Sequence, residues 1–291
     1  MKNFNLTLLF LLLLVNFSCT VEDNDSFLSS DVIEESAFED SDIDSLKLDI
    51  EQSLGEIVDL GDYYLIENDL MIPKSEILNY ISDSKEKNVS DSGRHFYTST
   101  ITTPPTGRRI VKIYWDKRGF PASETLNTGI TGNYNWRGAL TLALIAYNGG
   151  ITDFKIQFKE VGYDIFSPNG IPQDTDIILK SDGGILPNTT VASAGFPSNG
   201  NPYHTILINL DFLNSYNLTG QQKRYNLMHE LGHCIGFRHT NLRLRGESLA
   251  NANPIYTTPN AEDPNSVFNG GTALNDGYWS DYDEIALETL Y

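Results

Sequence analysis

The strongest constraint on this chain is a run late in the sequence, His229-Glu230-Leu231-Gly232-His233-Cys234-Ile235-Gly236-Phe237-Arg238-His239-Thr240. The stretch leading into it opens with Thr219-Gly220-Gln221-Gln222. A Thr followed three residues later by Gln is a capping box, and Met228, Leu231 and Ile235 recur at helical spacing, so the run is predicted to lie on a helix. On that helix His229 and His233 are four residues apart and project from one face, so both imidazoles reach a single ion. Glu230, beside the first histidine, is placed to hold a water on the ion rather than the ion itself. Gly236 can take a positive φ, which ends the helix and turns the chain so that His239 supplies a third nitrogen. Three neutral imidazoles leave a fourth position open for water, the arrangement of one catalytic Zn2+ rather than a structural one. Zinc lowers the pKa of such a water to about 7, and Glu230 would accept its proton as the water attacks a carbonyl.

Five positions of this pattern are fixed. With each residue type present about one time in twenty, chance gives roughly one match in three million start positions. The match also falls on an independently predicted, capped helix, so a solvated histidine-rich surface helix does not account for it.

The surrounding pattern is α+β. Residues 110–115 are β-branched and aromatic, and residues 154–158 alternate Phe154, Ile156 and Phe158 with polar neighbours, so both read as strands. Residues 176–180, 190–194 and 205–211 are further strand candidates. Trp136, Leu140, Leu144 and Tyr147 recur at helical spacing, predicting a helix over residues 135–147 with one apolar face. Ser280 with Asp283 reads as the N-cap of a last helix. Cys234 lies between the histidines in sequence but on another helix face, as a small core residue does.

The run HELGHCIGFRHT resembles the metzincin clan of zinc peptidases, and most of all its HEIGH-type metallopeptidases. Asp263-Pro264-Asn265-Ser266-Val267-Phe268-Asn269 resembles that clan's turn beneath the metal, and Trp279 to Tyr291 its C-terminal helix. The resemblance implies a mixed, mostly parallel five-stranded sheet with a backing helix, an active-site helix and a C-terminal helix. It also implies an antiparallel edge strand, here residues 190–195, that binds extended substrate by β-augmentation. The chain departs from the clan at Phe268, where a Met is usual beneath the ligands; the only methionines are Met1, Met71 and Met228. An apolar Phe keeps that floor hydrophobic. No Tyr follows two residues later, so a tyrosine ligand is not expected.

The formal charge of −19 is unevenly spread. Residues 20–90 hold 20 Asp or Glu against four Lys, a net of −16, whereas residues 91–291 hold 19 acids and 15 bases, a net of −4. No basic patch is present to neutralise phosphates, so nucleic acid is not an expected partner. Residues 1–19 combine Lys2, an apolar run over residues 6–15, and Asn16-Phe17-Ser18-Cys19, which resembles the signal peptide and lipobox of a bacterial lipoprotein. The expectation is export, with Cys19 as a lipid anchor holding the protein at the outer membrane or cell surface, and Cys234 left unpaired. Residues 20–44 read as an acidic tether. Residues 45–94 read as a pro-segment or cap and a linker, and residues 95–291 as the catalytic domain. Astacin-like pro-segments block their metal with an aspartate in a short F-x-G-D run; Ile66-Glu67-Asn68-Asp69 resembles it, making Asp69 the candidate latency ligand. His95 and His204 are too few for a second structural zinc site.

The function expected is a monomeric zinc endopeptidase that cuts extracellular or surface proteins. Two alternatives stand beside it. One is a metzincin-fold surface lipoprotein with little or no catalysis, for which Phe268 is the warning and Glu230 the counter-argument. The other is a zinc hydrolase acting on a different carbonyl substrate.

Overall fold

Strand formation follows the alternation in the sequence. In this computed structural model, residues 57–82, 94–104, 106–125, 134–150, 154–213, 217–249 and 251–291 are described. The expected export signal, Cys19, the expected acidic tether and the polar stretch at residues 85–93 lie outside the described residues. The central sheet is built from β5 (Arg109–Trp115), β6 (Ile156–Val161), β7 (Ile177–Ser181), β8 (Ala192–Ser193) and β9 (Thr205–Ile208) in the order β6-β5-β7-β9-β8. All neighbours run parallel except β8, which pairs antiparallel with β9 at the edge. The fold is therefore α+β with a mostly parallel five-stranded sheet, as expected. Phe154 stands just before β6 and packs on Tyr147 from outside the strand.

Four helices of six or more residues accompany the described strands: α1 (Ile77–Ser82), α2 (Trp136–Gly150), α3 (Gly220–Ile235) and α4 (Asp281–Leu290). On α2 the predicted face, Trp136, Leu140, Leu144 and Tyr147, is buried, and the Tyr147 hydroxyl donates to the Met228 carbonyl of α3 at 2.8 Å. Both capping boxes form. Thr219 and Gln222 close the start of α3, and Ser280 and Asp283 close the start of α4. Gly236 ends α3 at φ 123°, a conformation that a β-carbon resists. Helix α3 is unusual because nearly all of it is buried, Arg224, Asn226, His229, Glu230 and His233 included. Polar groups taken out of water need partners or cost several kcal/mol, so the folds around this helix are dictated by its polar residues as much as its apolar ones.

A second, three-stranded sheet precedes this body: β1 (Ile57–Asp59), β2 (Tyr63–Ile66) and β3 (Leu70–Pro73), in the order β1-β2-β3 and antiparallel throughout. Its side chains divide between two cores: Ile66, Leu70 and Ile72 form a small cluster with Ile77 and Tyr80, while others join the main one. Leu65 and Met71 are buried in the same cluster as Val111, Leu207 and Leu231, each burial worth about 1.5–3 kcal/mol. Strand β3 also extends the main sheet. The Met71 amide donates to the Ala194 carbonyl at 2.8 Å and the Ala194 amide to the Asp69 carbonyl at 3.2 Å, a parallel bridge between Leu70 and Ala194. The edge that substrate was expected to use is thus covered by the chain's own N-terminal segment. A small sheet of β4 (Phe96–Tyr97), β10 (Phe237–Arg238) and β11 (Asn253–Pro254) fixes the exit from α3.

Candidate metal centre

The centre begins with the helical spacing of His229 and His233. Their Nε2 atoms lie 2.8 Å apart, and the turn at Gly236 brings His239 to the same point. Each ring is oriented from behind through Nδ1. That of His229 donates to the Val267 carbonyl at 2.7 Å, that of His233 to the Phe237 carbonyl at 2.8 Å, and that of His239 to Glu247 Oε2 at 2.7 Å. With every Nδ1 proton committed backward, the three Nε2 lone pairs point at one another. Neutral rings facing this way repel, and a cation among them removes the conflict, so the donor set fits a metal ion. These three nitrogens and a carboxylate oxygen of Asp69 all lie within 4.8 Å of one another.

Asp69 enters from the tip of the β2–β3 hairpin. Its Oδ2 is 2.8 Å from His239 Nε2 and 3.3 Å from His229 Nε2. Burial opposes its charge, but the histidines win and hold the carboxyl well below the usual range. Burial likewise opposes a charged His239, yet Asp69 and Glu247 hold its pKa well above the ordinary value, while burial and its sister imidazoles push His233 down. The hairpin tip is strained to reach: Glu67 and Asn68 have φ of 55° and 65°. Asn tolerates the left-handed region, whereas Glu does so at a cost of about 1 kcal/mol or more.

Glu230 is 1% exposed, and its Oε2 has no hydrogen-bond partner. Burial first, and then the Asp69 carboxylate, push its pKa well above the ordinary carboxyl range. It lines a cavity of about 420 Å³ with His229, Asp69, Tyr225, Asn226 and Thr190. The rest of the lining mixes polar side chains such as Asn269 and Asn275 with Arg245 and the apolar Val191 and Phe212.

Beneath the rings runs the turn that carries Phe268. This side chain is fully buried, stacked on Phe237 with centroids 4.4 Å apart and planes 1° apart. A β-carbon at Gly232 would stand 2.2 Å from the Phe268 ring, so the glycine between the two helical histidines is what lets the larger ring in. The turn is pinned by Asp283, which is buried and accepts from His95 Nε2 at 2.7 Å, the Ser266 hydroxyl at 2.6 Å, the Val267 amide at 2.9 Å and the Ser280 amide at 3.0 Å. Asp283 therefore does more than cap α4. Behind the metal-facing edge, Arg238 donates to Glu67 Oε1 at 2.7 Å with both side chains buried.

Of the predicted residues, His229, Glu230, His233, His239 and Asp69 come together, with Phe268 packed below them on the far side of Gly232. His204 stands apart, in a separate cavity bounded by Tyr63, Met71 and Tyr203. Sequence reading missed Glu247, Arg238, Glu67, His95 and the second role of Asp283. An Arg within the histidine run was the available hint, since a charge on a buried turn implies a buried counter-charge.

The sequence model of a family described as dual-action HEIGH metallo-peptidases matches residues 124–291. No curated protein matches the chain.

Proposed function

The chain belongs to the dual-action HEIGH metallo-peptidase family, and from that premise we propose a zinc-dependent endopeptidase in which His229, His233 and His239 hold the ion and Glu230 is the general base. The observation that carries this reading is the convergence of three Nε2 atoms, each imidazole turned by a hydrogen bond at Nδ1. When bound, zinc supplies a positive charge that acidifies water and polarises a peptide carbonyl. Glu230 accepts the proton of the attacking water. It then passes that proton to the leaving amine. Edge strand β8 offers backbone groups for an extended peptide, and the cavity beside His229 takes one substrate side chain. The substrates are proteins or peptides outside the cell, a reading supported by the signal and lipobox pattern ending at Cys19. Phe268 keeps the floor apolar in place of Met.

The arrangement described is the latent form. Asp69 sits among the histidines, and β3 covers β8, so substrate has neither the ion nor the edge available until the hairpin leaves.

The test is cleavage of casein by the full chain and by Asp69→Ala, each with and without a zinc chelator, beside Asp69→Ala/Glu230→Ala. Chelator-sensitive cleavage by Asp69→Ala, lost in the Glu230→Ala double variant while zinc still binds, supports the peptidase. Zinc bound by both and casein cut by neither overturns it in favour of a binding lipoprotein. Equal cleavage by the full chain and Asp69→Ala overturns the latency.

A further inference from the structure

Arg238 is the one charged side chain of the histidine run that the mechanism above does not use. It is 0% exposed, and Glu67, its partner in the N-terminal hairpin, has a side chain only 1% exposed. The guanidinium donates through Nη2 to Glu67 Oε1 at 2.7 Å and to the Ser248 carbonyl at 3.1 Å, and through Nη1 to the Tyr80 hydroxyl at 2.6 Å. The rings of Phe196 and Tyr80 lie over it, at 5.5 and 5.7 Å. Of these neighbours Glu67 and Tyr80 belong to the hairpin and helix that cover the site, whereas Phe196 and Ser248 belong to the body.

The conformation of Glu67 shows how closely this spot is fitted to a carboxylate. The residue occupies the first left-handed position of the turn between β2 and β3, where Gly or Asn would be unstrained. A Glu stands there, with Oε1 on Arg238 at 2.7 Å and Oε2 3.4 Å from His239 Nδ1. The pair stands on its geometry in a dry setting.

We infer that Arg238 forms a carboxylate-selecting subsite of the cleft, filled by Glu67 in the latent form and by an acidic side chain of the peptide substrate once the hairpin has left. The inference rests on the peptidase reading. The reasoning is one of displacement. Whatever peptide reaches the histidines must replace the hairpin tip, because Asp69 stands on them and Glu67 is two residues away. Replacement uncovers a guanidinium beside His239 with an aromatic wall at Phe196, which follows the edge strand directly. Arginine's fixed fork of donors matches a carboxylate and discriminates against the isosteric amide. The nearby acid of the body, Glu247, is held by His239 Nδ1 and Arg245, so it does not replace Glu67 in this arrangement.

The experiment uses the full chain carrying Glu67→Ala, Asp69→Ala and Glu230→Ala, which loosens the hairpin tip and prevents cleavage. Fluorescent unstructured peptides, each with one Glu at a different position in a Gln/Ser background, are titrated by anisotropy against the Gln-only parent. Titrations are run in chelator, so that no metal can hold the carboxylate, and repeated with zinc. One register binds about tenfold tighter with Glu than with Gln, the lower end for a charge-assisted hydrogen bond. Adding Arg238→Gln erases that ratio. Where Arg238→Gln fails to fold, Arg238→Met replaces it, since both members of the buried pair are then gone and an apolar residue of like length suits the two rings. Equal affinity for Glu and Gln peptides at every register overturns the inference, and so does a Glu preference that survives loss of the guanidinium. Binding is read without turnover, so a chain that proves unable to cleave casein sinks the peptidase and leaves this result standing on its own.

Discussion

The hairpin of β2 and β3 and the turn that carries Phe268 approach His229 from opposite edges of its ring, one at Nε2 and the other at Nδ1. They are held by different forces. The turn is fixed by the body: a fully buried Asp283 with four hydrogen bonds, a stacked pair of rings, and a capping box that sets where α4 begins. Its hydrogen bonds to His95, Ser266 and Val267 and the ring stack lie in the dry interior. The hairpin is fixed partly by apolar contacts at Leu65 and Met71 and partly by carboxylates at its tip, Asp69 on the histidines and Glu67 on Arg238. A ligand that offers the same charges can compete with the second kind of hold and not with the first. On the latency proposed above, the turn is a permanent floor and the hairpin a displaceable lid.

The contrast can be broken from the floor side with the largest effect. Asp283→Ala strips a buried His95 and three backbone or hydroxyl donors of their acceptor and is expected to cost about 3–5 kcal/mol, measured by denaturant unfolding. Asp283→Asn, which keeps the shape, should cost less, and equal losses would mean that charge is irrelevant there. Gly232→Ala places a methyl 2.2 Å from the Phe268 ring and should cost about 3 kcal/mol, at the high end for overpacking. It should also lower zinc stoichiometry, and Phe268→Ala in the same chain should restore part of both. A Gly232→Ala protein as stable as the parent would show that the ring is not wedged.

On the lid side the effects are smaller in stability and larger in function. Asp69→Ala removes one of the two carboxylates and should raise casein cleavage by the full chain about tenfold, a loss of about 1.4 kcal/mol in the hold on the hairpin. Unchanged rates would overturn the latency. The smallest change expected is Phe268→Met, a swap of one large apolar residue for another that should cost under about 1.5 kcal/mol by thermal unfolding. A larger loss would mark the Phe237–Phe268 stack as a structural necessity of this chain.

Much of the floor was legible in advance because its rules are local. The spacing of His229 and His233, the Thr219–Gln222 box, the Gly236 stop and the Ser280–Asp283 cap each depend on residues within four positions of one another, and hydrogen-bond geometry along a helix leaves them little choice. The alternation that marked β6 and the β-branched and aromatic run that marked β5 are local as well. Strand β8 was weaker in sequence because only Ala192 and Ser193 complete its ladder, two small residues that pack closely and alternate faintly. Asp69 was visible only through a resemblance to another family's short run.

The sequence by itself determined that three imidazoles and a carboxylate would meet near a helix end, since that follows from a repeat of 3.6 residues per turn and one glycine. Only the tertiary structure decided what surrounds them. Glu67 reaches Arg238 across a separation of 171 residues, Asp69 reaches His229 across 160, and His95 reaches Asp283 across 188. No local periodicity links such positions. Each pair is selected because a charge or imidazole taken out of water must find its partner inside the fold, and the chain's path through space, rather than its order, determines which partner is within reach.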